Sequence, residues 1–298
     1  MTMILVRNTS SLIRLWWTSI RPFSLGTSLL AVLFGVSLAR QTGLTLRGTV
    51  LALTLLIALL IHVVTNLTNS LYDWISGHDK ATSPQAIPIL RDNPQGVKLV
   101  KQAISLLSLV IAIASLVFAY LTSWPMLLWP ITGYLGGIYY TKPPLAYKHK
   151  GISLPAVFVL MGMMLPMVSF VAQTSYVSKE LIVFCLPVAL LVAAILGANE
   201  LRDRGVDAAA GSITFTVLFG DRFCGALYYA LLTLPYLFIA ISVLWFSLAP
   251  ASLTVFLTLP LVPSLTRKVQ EREFRGLDVA TAQFHGLFCF IYILSLYF

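Results

Sequence analysis

Charge is what this sequence has least of. Asp, Glu, Lys and Arg make up only 10% of its 298 residues, against 58% hydrophobic, and the mean hydropathy is +0.88. Soluble domains carry about 25% charged residues, so this composition excludes a water-facing globular surface. The short alternating segments of a membrane β-barrel are missing as well. Cysteine is scarce. Cys185, Cys224 and Cys289 fall in apolar runs without CxxC or metal-ligand spacing, so they read as small buried hydrophobes. No cleavable signal peptide is evident. Trp16 and Trp17, flanked by Arg14 and Arg21, read instead as an interfacial helix leading into the first span.

What the sequence has in quantity is apolar runs, several of them roughly 18 residues or longer, enough to cross a bilayer core. In lipid each segment must satisfy its own backbone polar groups, so the runs are expected to be helices. Nine spans are expected, near 22–39, 48–72, 99–121, 124–140, 152–173, 181–201, 222–246, 250–266 and 280–297, in a single all-α transmembrane domain covering 1–298. Lys and Arg set the orientation. Arg40, Arg47 and Lys179 lie on one side; the remaining 17 of 20, including Arg7, Arg14 and Arg21, lie on the other. That places the N-terminus in the cytoplasm and Phe298 on the outer side of the cell inner (plasma) membrane. Ten of the eleven acidic residues share the cytoplasmic face, Glu180 being the exception. Acids contribute little to orientation, so their bias puts any chemistry at the cytoplasmic mouth. The net charge of +9 is spread through short loops, which suits a membrane surface and an anionic substrate better than nucleic acid.

Two clusters stand out. The second span ends Asn66-Leu-Thr-Asn69-Ser70-Leu-Tyr-Asp73, followed by Gly77-His78-Asp79-Lys80. At 100° per residue His62, Asn66, Asn69 and Asp73 fall within about 60° of one another, a polar stripe that faces a cavity or a partner rather than lipid. The sixth span ends Asn199-Glu200-Leu-Arg202-Asp203, followed by Asp207, and repeats the Asn-x-x-x-Asp spacing. One such helix end is commonly a solvated terminus, and His62 or His285 taken alone reads as a packed or hydrogen-bonded residue. Two matched ends are a stronger signal. Converging carboxylates repel one another unless cations neutralise them. Hard oxygen donors suit Mg²⁺, which readily completes its shell with a substrate's phosphates. Lys80, Arg91, Lys142, Lys148 and Arg202 are placed by the topology to complete an anion cradle, Lys142 and Arg202 being assigned a catalytic part in it. A metal-bridged diphosphate on a lipid tail fits this arrangement. A secondary transporter would carry its charges at midplane, and these lie at one face.

These clusters resemble the aspartate-rich motifs of the UbiA superfamily of intramembrane prenyltransferases, most closely its 1,4-dihydroxy-2-naphthoate polyprenyltransferase branch. The resemblance runs from Trp17-Thr-Ser-Ile-Arg21-Pro22 through both clusters, Ile89-Leu-Arg91, Tyr139-Tyr140-Thr141, Pro143-Pro144-Leu-Ala-Tyr147-Lys148 and Thr281-Ala282 with His285. It implies nine helices in a ring around a chamber open to lipid, and Mg²⁺ held by Asn69, Asp73, Asp79, Asn199, Asp203 and Asp207 directly or through a diphosphate. Asp73, Asp203 and Asp207 are implied as catalytic, and Arg21, Asn66, Lys80, Arg91, Tyr140 and Lys148 as substrate-binding. The expected partners are a prenyl diphosphate donor, an aromatic acceptor and the bilayer; the expected reaction is ionisation of the donor and capture of the cation by an electron-rich ring. Two departures stand against the family pattern: Ser70 follows Asn69 where the family usually has Asp, and Gly211-Ser212 stands where it often has Gly-Lys. They leave open a membrane terpene cyclase using the same metal site.

Overall fold

The computed structural model describes residues 13–80 and 86–298; Arg7 of the expected basic N-terminal segment lies outside them. Residues 13–19, with Trp16 and Trp17, are helical as expected. In chain order follow α1 (Pro22–Arg40), α2 (Gly48–Ile75), α3 (Gly96–Leu121), α4 (Leu128–Ile138), α5 (Ser153–Thr174), α6 (Glu180–Ala209), α7 (Phe215–Trp245), α8 (Val262–Gln270) and α9 (Leu277–Ser295). Among the described residues seven of these, all but α4 and α8, are long and apolar enough to cross a membrane.

The fourth and eighth expected spans are helical but built differently. Each begins as a 3-10 helix, Trp124–Leu127 ahead of α4 and Pro250–Leu261 ahead of α8. Pro260, inside the second of these, lacks the N–H that a continuous α-helix would use, while Pro125 and Pro250 stand in the first turn, where none is needed. A 3-10 helix rises about 2.0 Å per residue, so the twelve residues of Pro250–Leu261 extend about 24 Å and reach most of the way across the bilayer core. The seventh span starts earlier than its composition suggested, but Gly220 (φ 79°, ψ 164°) breaks α7 just ahead of the expected start at 222.

The second and sixth spans also outrun their expected ends. With 28 and 30 residues, α2 and α6 are about 42 and 45 Å long at 1.5 Å per residue, against a hydrocarbon core of about 30 Å. Measured from their starts, both helices therefore reach the edge of an apolar zone of that thickness near Asn69 and Asn199 and carry Asp73, Asp203 and Asp207 past it. Leu67, Leu71 and Leu201 are buried on the opposite sides of the same turns, which holds the polar stripes in a fixed rotation.

Packing closes the ring. α1 lies against α2, α5 and α9; α2 lies against α3 and α4; α6 lies against α5, α7 and α9. Between helices in lipid the gain comes from close van der Waals approach, which small residues permit. A Cβ on Gly35 of α1 would sit 2.1 Å from the Pro166 carbonyl oxygen of α5, and one on Gly162 would sit 2.5 Å from Ala189 Cα of α6. Gly162 belongs to a π-helical stretch of α5, Phe158–Met164. Cys185, Cys224 and Cys289 are free and buried, as their setting in apolar runs implied.

Gly35→Ala is expected to destabilise the protein by about 1–3 kcal/mol through overpacking, read as a lower midpoint of thermal unfolding in detergent. Gly26, whose Cβ position is open, is the control: Gly26→Ala in the same helix is expected to be neutral or slightly stabilising.

Candidate active site

The ring of helices encloses a chamber of about 1100 Å³. Its walls change character with depth. Toward one end they are apolar, including Ile57, Phe118, Trp129, Met164 and Val192; toward the other they carry Arg21, Asn66, Asn69, Asn199, Arg202 and Asp203. Asn66 and Asn69 of α2 and Asn199 and Asp203 of α6 thus line one cavity, while Asp73, Asp79 and Lys148 lie just off its wall.

The first cluster is held by its own turn and by a strap from elsewhere. After α2 the chain reverses through Gly77 (φ 79°), and the Asp79 N–H donates to the Asp73 carbonyl at 2.9 Å. Glycine at that position is what folds Asp79 back beside Asp73. Burial raises the Asp79 carboxyl above its ordinary value and the nearby Asp73 charge raises it further; Asp203 adds to the same effect from the second cluster. The two acidic ends therefore feel each other directly.

Asp73 is buried and its oxygens are treated unequally. Lys148 Nζ donates to Asp73 Oδ2 at 2.7 Å and to Asn69 Oδ1 at 3.3 Å. Asp73 Oδ1 lies 3.4 Å from His149 Nε2, long for a hydrogen bond, and is one of four buried side-chain polar atoms among the described residues without a hydrogen-bond partner. Lys148 and His149 sit on the strap between α4 and α5. Tyr147 anchors it by donating to the Gly136 carbonyl at 2.6 Å, and on the far side His149 Nδ1 meets Ser212 Oγ at 2.6 Å beside a Lys150–Ile213 bridge. His149 also stacks on His78, ring centroids 4.5 Å apart.

The second cluster centres on Arg202. Its guanidinium makes two hydrogen bonds to Asp203, at 2.8 and 2.7 Å, and a third to Asp278 from the first turn of α9. Glu200, between the motif residues, turns away from the chamber. It accepts from Ser153 and from the Thr216 N–H, the latter at 3.1 Å, and ties α6 to α5 and α7.

The two departures from the family pattern have local partners. Arg21 Nη2 donates to Ser70 Oγ at 3.3 Å, and Ser212 is the hydroxyl that holds His149. Burial lowers the pKa of Arg21, opposed by the fields of Asp79, Asp73 and Asp203, so this side chain stands between the two clusters. Asn66 Nδ2 donates to Ser24 Oγ at 2.9 Å, and Tyr140 meets Tyr147 edge-on.

Other expected members lie elsewhere. Arg91 is exposed and paired with Asp92 at 2.7 Å, because the Pro88–Arg91 turn presents its apolar Ile89 and Leu90 inward and its last residue outward. Lys142 is half-buried on the turn after α4, off the chamber wall, and Lys80 is exposed next to residues 81–85, which are not described. Asp207 is half-buried one turn beyond Asp203, also off the wall. Sequence reasoning missed Asp278 and Arg275 on the chamber wall and His149 on the strap. Asp278 had a signal: with Ala282 and His285 it follows the spacing of one helix face.

A family model for the UbiA prenyltransferase family matches residues 28–287. The chain belongs to the UbiA prenyltransferase family. It is accordingly an enzyme that transfers prenyl groups, and a multi-pass membrane protein. It is 28% identical over 279 residues to the human UbiA prenyltransferase domain-containing protein 1, covering 93% of this chain and 82% of the relative. It is also 28% identical to the 1,4-dihydroxy-2-naphthoate octaprenyltransferase of Bacillus subtilis, over 94% of this chain and 91% of that protein. The fold matches a UbiA homolog from Archaeoglobus fulgidus bound to GPP and Mg²⁺, with a TM-score of 0.61 at 15% identity over 95% of this chain and all of that one. The apo UbiA homolog from Aeropyrum pernix K1 gives 0.65 at 17% identity over 89% and 97%.

Within this UbiA enzyme, Asp278→Asn is expected to loosen Arg202 and lower kcat/KM for prenyl transfer roughly tenfold, the equivalent of one charge-assisted hydrogen bond. Initial rates at varied donor concentration check this; an unchanged value would separate Asp278 from the site.

Proposed function

We propose that this UbiA enzyme transfers the prenyl chain of a prenyl diphosphate to a hydroxyaromatic acid of the 1,4-dihydroxy-2-naphthoate type, in quinone biosynthesis, with Mg²⁺ at the mouth of the chamber. The observation that carries the reading is the facing pair of Asn-x-x-x-Asp turns over an apolar cavity large enough for a prenyl tail and a ring together. The Bacillus subtilis relative, a naphthoate octaprenyltransferase similar along nearly the whole chain, supports the acceptor class.

The donor set fits the metal. Asn69, Asp73, Asn199 and Asp203 offer hard oxygens, and Asp73 Oδ1 is buried without a hydrogen bond. Among the described residues no three His, Cys, Asp or Glu side chains are grouped to hold a metal by themselves. Mg²⁺ commonly completes its shell with substrate phosphates. Asp79, folded back beside Asp73, and Asp207, one turn beyond Asp203, would complete the set through water or phosphate. Bound there, Mg²⁺ offsets the negative charge that grows on the leaving diphosphate.

The chain's own residues do the rest. Lys148 and Arg202 neutralise the carboxylates in the resting site and are placed to follow the charge as it moves to the diphosphate. Arg21, between the clusters, is the candidate partner of the acceptor carboxylate, and Asn66 and Tyr140 line the same approach. Tyr140 is placed to offer its ring to the allylic cation, while Trp129 and Phe118 line the deep apolar end, and the apolar chamber keeps water from the reaction. The orientation proposed from the basic residues puts this mouth in the cytoplasm. Val177, exposed between α5 and α6, then faces outward, and Lys150 faces inward.

Turnover is expected to vanish with EDTA and to return with Mg²⁺. Asp73→Ala and Asp203→Ala should each abolish transfer in a protein that still purifies as a folded species; near-wild-type rates in either would remove the metal-site reading. In intact cells a membrane-impermeant thiol reagent should label Val177→Cys and leave Lys150→Cys unlabelled. The opposite pattern would invert the topology.

A further inference from the structure

Transfer to a hydroxyaromatic ring needs a group that takes the hydroxyl proton, because the ring attacks as its oxygen lone pair is released. The charged residues at the mouth are poorly suited. Asp73 is held by Lys148, and Asp203 and Asp278 share the Arg202 guanidinium. All stand where the diphosphate's charge accumulates. Tyr147 on the chamber wall already donates to Gly136. His62, also on that wall, is an imidazole with Ser28 as its hydrogen-bond partner and no charged partner among the described contacts.

His62 lies on the Asn66–Asn69–Asp73 stripe of α2, seven residues before Asn69, which is about 10 Å deeper along the helix axis. It is 9% exposed and forms part of the chamber wall. Its Nδ1 is engaged by Ser28 Oγ of α1 at 2.8 Å. Nε2 has no hydrogen bond among the described contacts and is the ring nitrogen left for the chamber that His62 lines. Ser28 fixes the ring's orientation, and in the tautomer with Nδ1–H donating to Ser28 Oγ, Nε2 carries the lone pair.

We propose that His62, oriented by Ser28, is the proton acceptor for the aromatic substrate's hydroxyl. The proposal rests on the aromatic-acceptor reading above. As the C1–O bond of the donor breaks, its electron pair leaves with the diphosphate. The acceptor's ring carbon bonds to C1, its O–H electron pair becomes part of a ring carbonyl, and the proton passes to His62 Nε2. Where the attacked carbon bears a carboxylate, that group departs as CO₂. Its bonding pair restores the aromatic ring, and the oxygen recovers its proton from His62. The positively charged imidazole exists only during this interval, some 10 Å from the metal oxygens, where its charge does not compete with them.

The test uses the purified full-length enzyme in detergent with prenyl diphosphate, Mg²⁺ and a series of hydroxyaromatic acids whose hydroxyl groups differ in acidity. His62→Gln keeps a hydrogen-bonding group beside Ser28 but has no basic nitrogen. It is expected to lower kcat about 100-fold with the least acidic acceptor, to approach wild type as acceptor acidity rises, and to leave the donor's KM unchanged. Ser28→Ala should show the same trend at smaller amplitude and supplies the reading if His62→Gln does not fold. A deficit of equal size across all acceptors would mark His62 as structural, and an unchanged kcat would remove it from the reaction; either overturns the proposal while leaving the acceptor class standing. Failure of wild-type enzyme to prenylate any member of the series would overturn the acceptor reading and this proposal with it.

Discussion

Carboxylates gathered at the end of apolar helices must be neutralised, and the rest of the site follows from how that is done. Asp73 is buried beside Asn69, with Asp79 folded back on it and Asp203 close enough to be felt. The protein answers with two cations of its own, Lys148 on the first cluster and Arg202 on the second. Neither saturates the donors: Asp73 Oδ1 remains without a hydrogen bond. In the proposed reading, a site balanced this way still gains from an incoming divalent cation and polyanion. The strap carrying Lys148 and His149 spans both halves, from Tyr147 on Gly136 to His149 on Ser212, so the two clusters are fixed relative to each other through it as well as through the bundle.

Much of this was legible in the sequence because membrane helices leave few alternatives. Every expected span is a helical segment, and the polar stripes of α2 and α6 face the chamber as a 100° period requires. What escaped is what periodicity does not encode. Prolines at 250 and 260 gave no warning that the eighth span would begin as twelve residues of 3-10 helix. Arg91 looked like part of an anion cradle because loop proximity is all that topology gives; the short Pro88–Arg91 turn decides its direction, and it pairs with Asp92. Asp278 went unread because it sits 71 residues after Asp207, and only the packing of α9 against α6 brings it to Arg202. Ser70 and Ser212 stood out as losses of charge, and the fold reuses both as hydroxyl partners, of Arg21 and His149.

The chamber's gradient from charged mouth to apolar interior orders the chemistry. In the proposed reaction the diphosphate would be held where Arg21, Arg202 and the Asn and Asp oxygens converge, its chain would point toward Trp129, Met164 and Val192, and the cation would form where the two zones meet. The close helix contacts at Gly35 and Gly162 keep the ring tight around this volume, so positioning is supplied by packing made in advance rather than by binding. The most direct test of the account is product analysis with prenyl diphosphate radiolabelled in the chain, in the presence of Mg²⁺, with and without 1,4-dihydroxy-2-naphthoate. The account requires the label to enter a prenylated naphthol only when the acceptor is present, with little diphosphate released in its absence; metal-dependent formation of a cyclic hydrocarbon without any acceptor would contradict it.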